Sequence, residues 1–220
     1  MNNFFLFYLL SLLTGNPLIA IAVLLIIYFF LDRAYVGFLP DIFAPIRRNR
    51  QIKNMLTDLS INPSNSNDAI DLGVLYFEKK QYEKAVNYFM RAYDRVKNSE
   101  KLYLYLGMAQ IELGRFDEGK EALIKALQIN PNVGYGIPYV YLIKVALSKN
   151  DIEEVKSLED KFSRYANTEN FYKMGIVFKK AGDKDKAKNM FDNAVKEYSY
   201  CPRTLKKLHR RWAFLSKLNR

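Results

Sequence analysis

Apolar positions along this chain follow two regimes. Residues 4–31 read FFLFYLLSLLTGNPLIAIAVLLIIYFFL, an unbroken greasy run without a charge. From residue 66 onward apolar residues recur at spacings of three and four, the mark of amphipathic helices. A shorter signature repeats within this second regime. Leu72-Gly73-x-x-Tyr76 returns as Leu106-Gly107-x-x-Gln110 and again as Met174-Gly175-x-x-Phe178. The first two glycines stand 34 residues apart, and the third stands 68 beyond the second. One interval held this strictly predicts a small helical unit, copied and stacked.

Units of 34 residues begin at Ser66, Glu100, Gly134 and Thr168. The first gives Ala69-x-x-Leu72-Gly73-x-x-Tyr76 and then Ala85-x-x-x-Phe89-x-x-Ala92. The second gives Tyr103-x-x-Leu106-Gly107, Gly119-x-x-x-Leu123-x-x-Ala126 and a closing Pro131. The fourth gives Phe171-x-x-Met174-Gly175-x-x-Phe178 and Ala187-x-x-x-Phe191-x-x-Ala194. Small residues at these places let two helices approach, and Tyr76, Phe89, Phe178 and Phe191 fill the space between pairs. Lys80-Gln81-Tyr82, Gly114-Arg115-Phe116 and Gly182-Asp183-Lys184 fall where the first helix of a pair must turn into the second. The third unit is degenerate: Val140-Tyr141 replaces Leu-Gly, and Gly134-Tyr135-Gly136 with Pro138 delays its first helix. Tyr139, Leu142, Ile143, Ala146 and Leu147 still trace one helical face, and Ile152, Val155, Leu158 and Phe162 the next, with Lys149-Asn150-Asp151 as the turn. A helix pair with altered packing, able to bend the stack, is expected there.

This pattern closely resembles the tetratricopeptide repeat family, whose units carry a large residue, Leu-Gly, Tyr, then Ala, Phe, Ala and Pro at these spacings. The resemblance implies an all-α fold: an α-solenoid of about four helix pairs over 66–201 (66–99, 100–133, a degenerate 134–167, and 168–201). It also implies a concave groove, lined by the first helix of each pair, that holds an extended peptide or a helix of a partner protein. Carried onto this chain, the lining positions are Ile70, Val74, Phe77, Leu104, Met108, Ile111, Tyr172 and Ile176. Chaperone-binding members grip a carboxylate terminus with Lys and Asn; Ile70, Val74 and Tyr105 occupy such places here, a departure from that pattern. A groove this apolar suits a greasy segment or helix. Cover by the chain's own connector, or by a second copy, is the competing reading.

The tail 202–220 is expected to cap the stack, with Leu205, Leu208, Trp212 and Leu215 as its apolar stripe. At the other end, the 28 residues 4–31 exceed the ~20 needed to cross a bilayer. A signal peptide fits less well: no Lys or Arg precedes the run, and Ala20-x-Ala22 leads into more apolar residues. Asn16-Pro17 reads as an N-cap and a first helical residue. Two topologies follow. One kinked and tilted helix spans, using most of 4–31 or the part from Pro17 into Phe38; or 4–13 and 17–31 form a hairpin that enters and leaves one face. The single span is favoured within a membrane segment of 1–37. Arg33, Arg47, Arg48, Arg50 and Lys53 follow the run, so the positive-inside rule puts residues 32–220 in the cytoplasm at the inner or plasma membrane. The connector 38–65 is punctuated by Pro40, Pro45 and Pro63. Arg47 to Leu59 has the length of a short basic helix on a lipid surface, each cation worth ~1 kcal/mol near anionic headgroups. The same charges serve equally as a plain topology signal.

Charge adds one distinction. Of the net +11, the body 66–201 carries 22 Lys/Arg against 20 Asp/Glu, whereas 202–220 carries seven Lys/Arg and no acid. Lys206, Lys207, Arg210 and Arg211 in that tail could meet anionic lipid, RNA or an acidic protein, or simply be solvated. The lone Cys201 and lone His209 leave no disulfide and no zinc ligand set, and no phosphate loop or nucleophile motif is present. No cofactor, metal or enzymatic activity is expected. The resulting expectation is a membrane-anchored scaffold that binds a protein segment in its groove. The alternative is a nucleic-acid- or ribosome-binding protein acting through the basic end. The whole layout resembles uncharacterised bacterial membrane proteins with these repeats.

Overall fold

A computed structural model describes residues 3–39 and 41–220; Met1, Asn2 and the connector's Pro40 lie outside the described residues. The described chain is all-helical, with no strand. The first helix, α1 (Asn3–Thr14), ends at a turn, and α2 (Pro17–Leu31) begins just beyond it. Asn16 Oδ1 accepts the Leu18 N–H at 2.8 Å, which satisfies an otherwise orphaned donor, and Pro17 needs none. Helix α1 contacts α2; Leu6, Phe7, Leu10 and Thr14 on α1 and Val23 and Leu24 on α2 are half-buried, and Ala20 is fully buried. The two helices fold back on each other. A single kinked helix over most of 4–31 is therefore not formed, because the chain reverses at Gly15-Asn16. Pro17–Ala34 remains the one described helix long and apolar enough to cross a membrane. Its last residues form a π-helical turn, Asp32–Val36, closed by Gly37 with φ 69°. The Asp32 carboxylate then accepts the N–H groups of Phe38 (3.1 Å) and Leu39 (2.8 Å), fixing the exit of the chain.

The connector is not loose material. It holds α3 (Ala44–Ile61), whose Pro45 sits in the first turn. Ile52 and Leu59 of α3 are buried in one cluster with Ala69, Ile70 and Leu72 of α4 (Ser66–Glu78). Arg48 Nε pairs with Glu78 Oε2 at 2.8 Å, and Lys79 Nζ donates to Asn49 Oδ1 at 2.8 Å. One face of α3 thus covers the greasy start of the stack. The face that carries Ile52 and Leu59 is therefore not free to meet lipid.

Helix α4 turns into α5 (Tyr82–Tyr93), α6 (Glu100–Glu112) into α7 (Phe116–Ile129), α8 (Ile137–Ser148) into α9 (Ile152–Tyr165), and α10 (Thr168–Lys180) into α11 (Lys184–Tyr200). Each of these four turns passes through a left-handed residue: Lys80, Gly114, Asn150 and Gly182. Asn65, Ser99, Asp151, Asn167 and Asp183 cap the following helices through side-chain oxygens. Within pairs the approach is close. A Cβ built on Gly73 would stand 2.7 Å from Phe89 Cδ1, and one on Gly175 the same distance from Phe191 Cδ1. Phe89 and Phe191 are fully buried, so only glycine fits opposite them.

Neighbouring pairs are further registered by ion pairs between residues about one repeat apart. Lys101 meets Asp71, Arg115 meets Glu83, Lys144 meets Glu112 and Lys149 meets Asp117, at 2.5–2.9 Å. Pairs this exposed contribute little energy individually; apolar burial holds the stack.

The degenerate third unit opens with a 3-10 turn, Val133–Gly136, in which Gly134, Tyr135 and Gly136 all take left-handed angles. Asn170 of α10, itself buried, donates both amide hydrogens to the carbonyls of Gly134 (2.8 Å) and Tyr135 (2.7 Å). The irregular turn is thereby pinned by the next repeat.

Helix α12 (Arg203–Asn219) packs on α10 and α11. Its buried residues are Ala213 and Ser216, beside half-buried Trp212, whose ring centroid lies 5.4 Å from that of Tyr172. The expected stripe is corrected here: Leu205 and Leu208 stay exposed. Small side chains allow the helix to sit close, and that rotates the leucines outward.

A candidate partner groove

The first helices of the pairs, α4, α6, α8 and α10, together with Trp212 of α12, enclose a hollow of about 1100 Å³. Its floor is apolar and aromatic: Phe77 from α4, Leu104, Tyr105 and Met108 from α6, Val140 and Tyr141 from α8, Tyr172, Ile176 and Val177 from α10. The helical spacing of three and four brings these side chains to one face of each helix. Glu78, Glu112 and Glu169 on the rim are balanced by Lys144, Lys173 and Lys180. Lys144 Nζ holds Glu112 at 2.8 Å, and Lys173 Nζ holds Glu169 at 2.7 Å. A charged ligand therefore meets no uniform field of either sign.

Burial on the floor suppresses the ionisation of two tyrosines. Burial, and then the charge of Glu112, drives the Tyr141 hydroxyl far above its ordinary range. Burial likewise raises Tyr105, with Glu78 adding to it. Both hydroxyls stay protonated at any physiological pH, and that of Tyr141 donates a hydrogen bond to the Glu112 carboxylate.

Five of the eight residues expected on the lining are brought together: Phe77, Leu104, Met108, Tyr172 and Ile176. Leu104 and Met108 are largely buried beneath the surface, whereas Phe77, Tyr172 and Ile176 are partly buried. The other three lie elsewhere. Ile70 belongs to the buried cluster under α3. Ile111 is core at 2% exposure. Val74 lines a separate, shallower hollow of about 330 Å³ with Gln51 and Met55 of α3. The entire contribution of α8 went unforeseen, because the third unit lacks the Leu-Gly mark that sets the register. Its Val140-Tyr141 pair, standing where Leu-Gly belongs, was the available signal.

The basic residues do not form one patch. Arg47 pairs with Asp41 and Arg48 with Glu78; Arg50 and Lys53 are exposed on α3. On α12, Lys206 lies over the Tyr198 ring and Arg211 over the Trp212 ring. Lys207 Nζ donates to the carbonyls of Arg33 (2.8 Å) and Ala34 (2.6 Å), at the end of the apolar helix. Arg210, the remaining tail residue singled out, is half-buried.

Comparison with known proteins gives two matches to family profiles described as tetratricopeptide repeat, over residues 76–135 and 169–199. Among solved structures, MamA aligns with a TM-score of 0.55 at 19% identity, over 73% of this chain and 96% of its own. A thermophilic repeat protein of Thermus thermophilus, TTC0263, aligns at 0.57 and 15% identity, over 80% and 93%. YrrB, described as having an unusual peptide-binding site, aligns at 0.51 and 18% identity, over 77% and 86%. At these identities the likeness is one of fold.

Proposed function

This chain is a tetratricopeptide repeat protein, and from that premise we propose that it is a membrane-tethered scaffold whose groove holds an apolar peptide or helix of a partner protein. The carrying observation is the continuity of the floor: Phe77, Tyr105, Tyr141 and Tyr172 present aromatic surface from all four repeats in one hollow. Aromatic side chains supply large contact area at low entropic cost, and their hydroxyls can meet backbone groups of an extended segment. A neighbour of the same fold is described by its peptide-binding site, which adds support for a groove ligand. The tether reading rests on Pro17–Ala34, apolar, barely buried within the protein and followed by basic residues. Tethering at the cytoplasmic face would raise the partner's effective concentration there without any new contact.

Photo-crosslinkers placed at Tyr172 and Ile176 in cells test the groove, with exposed Ile124 on α7 as control. Adducts at the first two positions and none at the third are expected; equal labelling, or none, would overturn the reading. A topology reporter fused after Arg220 that becomes active only on the outer face would refute the orientation.

A further inference from the structure

We propose that the face of α12 turned away from the repeats lies in the headgroup layer of an anionic bilayer and locks the solenoid against the membrane; the proposal rests on the tether reading above. Lys207, Arg211, Phe214 and Leu218 are spaced four, three and four residues apart, so they share one face, opposite the buried Ala213 and Ser216. This face meets the end of the apolar helix. Lys207 grips the Arg33 and Ala34 carbonyls, and the Phe214 ring stands edge-on to Phe38 at 4.8 Å. Gly37 makes the approach feasible: its φ is left-handed, and a Cβ there would lie 2.9 Å from Lys207 Cγ and 3.2 Å from the Lys207 carbonyl oxygen.

If Pro17–Ala34 spans, α12 is held at the depth where a span leaves the hydrocarbon. At that level the helix exposes grease. Leu218 is 67% and Leu208 66% exposed, and Ile42 and Ile46, on the chain just after the exit, are also open. Solvent alone gives no reason for these exposed side chains, whereas an interfacial helix needs such groups: apolar side chains sink about 5–10 Å and cations stay at the phosphates. Residues 202–220 contain seven Lys/Arg and no acid, which matches an anionic leaflet. Nucleic acid would use the cations but not the leucines.

The test uses the full chain carrying Cys201→Ser and Leu218→Cys, labelled with a polarity-sensitive fluorophore. The protein is reconstituted into phosphatidylcholine vesicles with and without phosphatidylglycerol. Blue-shifted emission in the anionic vesicles, quenched by headgroup-level nitroxide lipids and reduced by salt, is expected. Arg211→Glu with Lys217→Glu should lose that shift, and this variant leaves the Lys207 grip intact. Water-like emission in both vesicles, with the protein still resisting carbonate extraction, overturns the surface and spares the tether. Release by carbonate overturns both. A shift equal in neutral lipid, one that follows protein concentration, or one produced by added RNA alone assigns the face to zwitterionic membrane, a second copy or nucleic acid, and each overturns the proposal.

Discussion

Replacing Gly175 by Ala sets two opposing terms against each other, and the structure decides the sign. In an isolated helix the change stabilises by ~1 kcal/mol, since Ala is the best helix former and Gly among the worst. Here the new Cβ would stand 2.7 Å from Phe191 Cδ1 and 2.9 Å from Cζ, and closer still to Cε1. Ordinary contact begins near 3.4 Å, so the ring must move by most of an ångström. It has no room: Phe191 is fully buried, with Tyr172 at 5.8 Å between ring centroids. Overpacking of this kind costs about 1–3 kcal/mol, and a trapped ring puts it near the upper end. The net expectation is a loss of about 1–2 kcal/mol, a Tm lower by roughly 2–8 °C for a chain of this size. The assay is thermal unfolding of the full chain in detergent, followed by circular dichroism. Phe191→Leu in the same background should relieve the clash, so that the double variant loses about 1 kcal/mol less than the sum of the singles. Gly73→Ala against Phe89 should behave alike, since its geometry is the same. A Gly175→Ala variant more stable than the parent, with no coupling to position 191, would refute the close approach on which the pair packing rests.

Ile176→Glu should abolish crosslinking to the partner at a smaller cost in Tm than Met108→Glu, because Ile176 is only partly buried, whereas Met108→Glu buries a charge and should prevent folding. Asn170→Leu removes both donors from the Gly134 and Tyr135 carbonyls and should cost about 1–3 kcal/mol, with faster hydrogen exchange confined to the start of α8. Lys80→Gly should stabilise by about 0.5–1 kcal/mol, since Lys80 holds a left-handed φ of 59° that glycine adopts without penalty; chemical denaturation reads it. Hydrogen bonds from Arg47 and Arg33 hold the Asp41 carboxyl well below its usual range. A lowered folded pKa means that the pair's contribution is complete above the ordinary carboxylate range and fades only as pH falls through it. The Asp41 carboxyl resonance should therefore still report the ionised form as pH falls through the ordinary carboxylate range, and titrate only in stronger acid.

The fold class was open to reading because tetratricopeptide units carry their instructions locally. Leu72-Gly73, Leu106-Gly107 and Met174-Gly175 mark where two backbones touch, and a touch forbids any other residue. What escaped had no local mark. Val140-Tyr141 lines the groove through a register that only the preceding repeats define. Ile52 and Leu59 read as a basic helix's incidental apolar residues until α4 is placed beside them. On α12 the leucines attract the eye, but contact distance favoured Ala213 and Ser216, which hydrophobicity alone ranks below every leucine. Ile70 and Ile111 point to the same lesson: helical spacing shows that a residue is inward, not which of two inward faces it serves.

The grip of Lys207 on Arg33 and Ala34 joins positions 174 and 173 residues apart. A clasp of that span closes only after the repeats between its ends have been synthesised, so a nascent chain in the proposed orientation first orients its repeats by way of α3 and the Asp41 pairs with Arg33 and Arg47. Lys207→Ala, which leaves Trp212 against Tyr172, would return a folded molecule to that looser hinge.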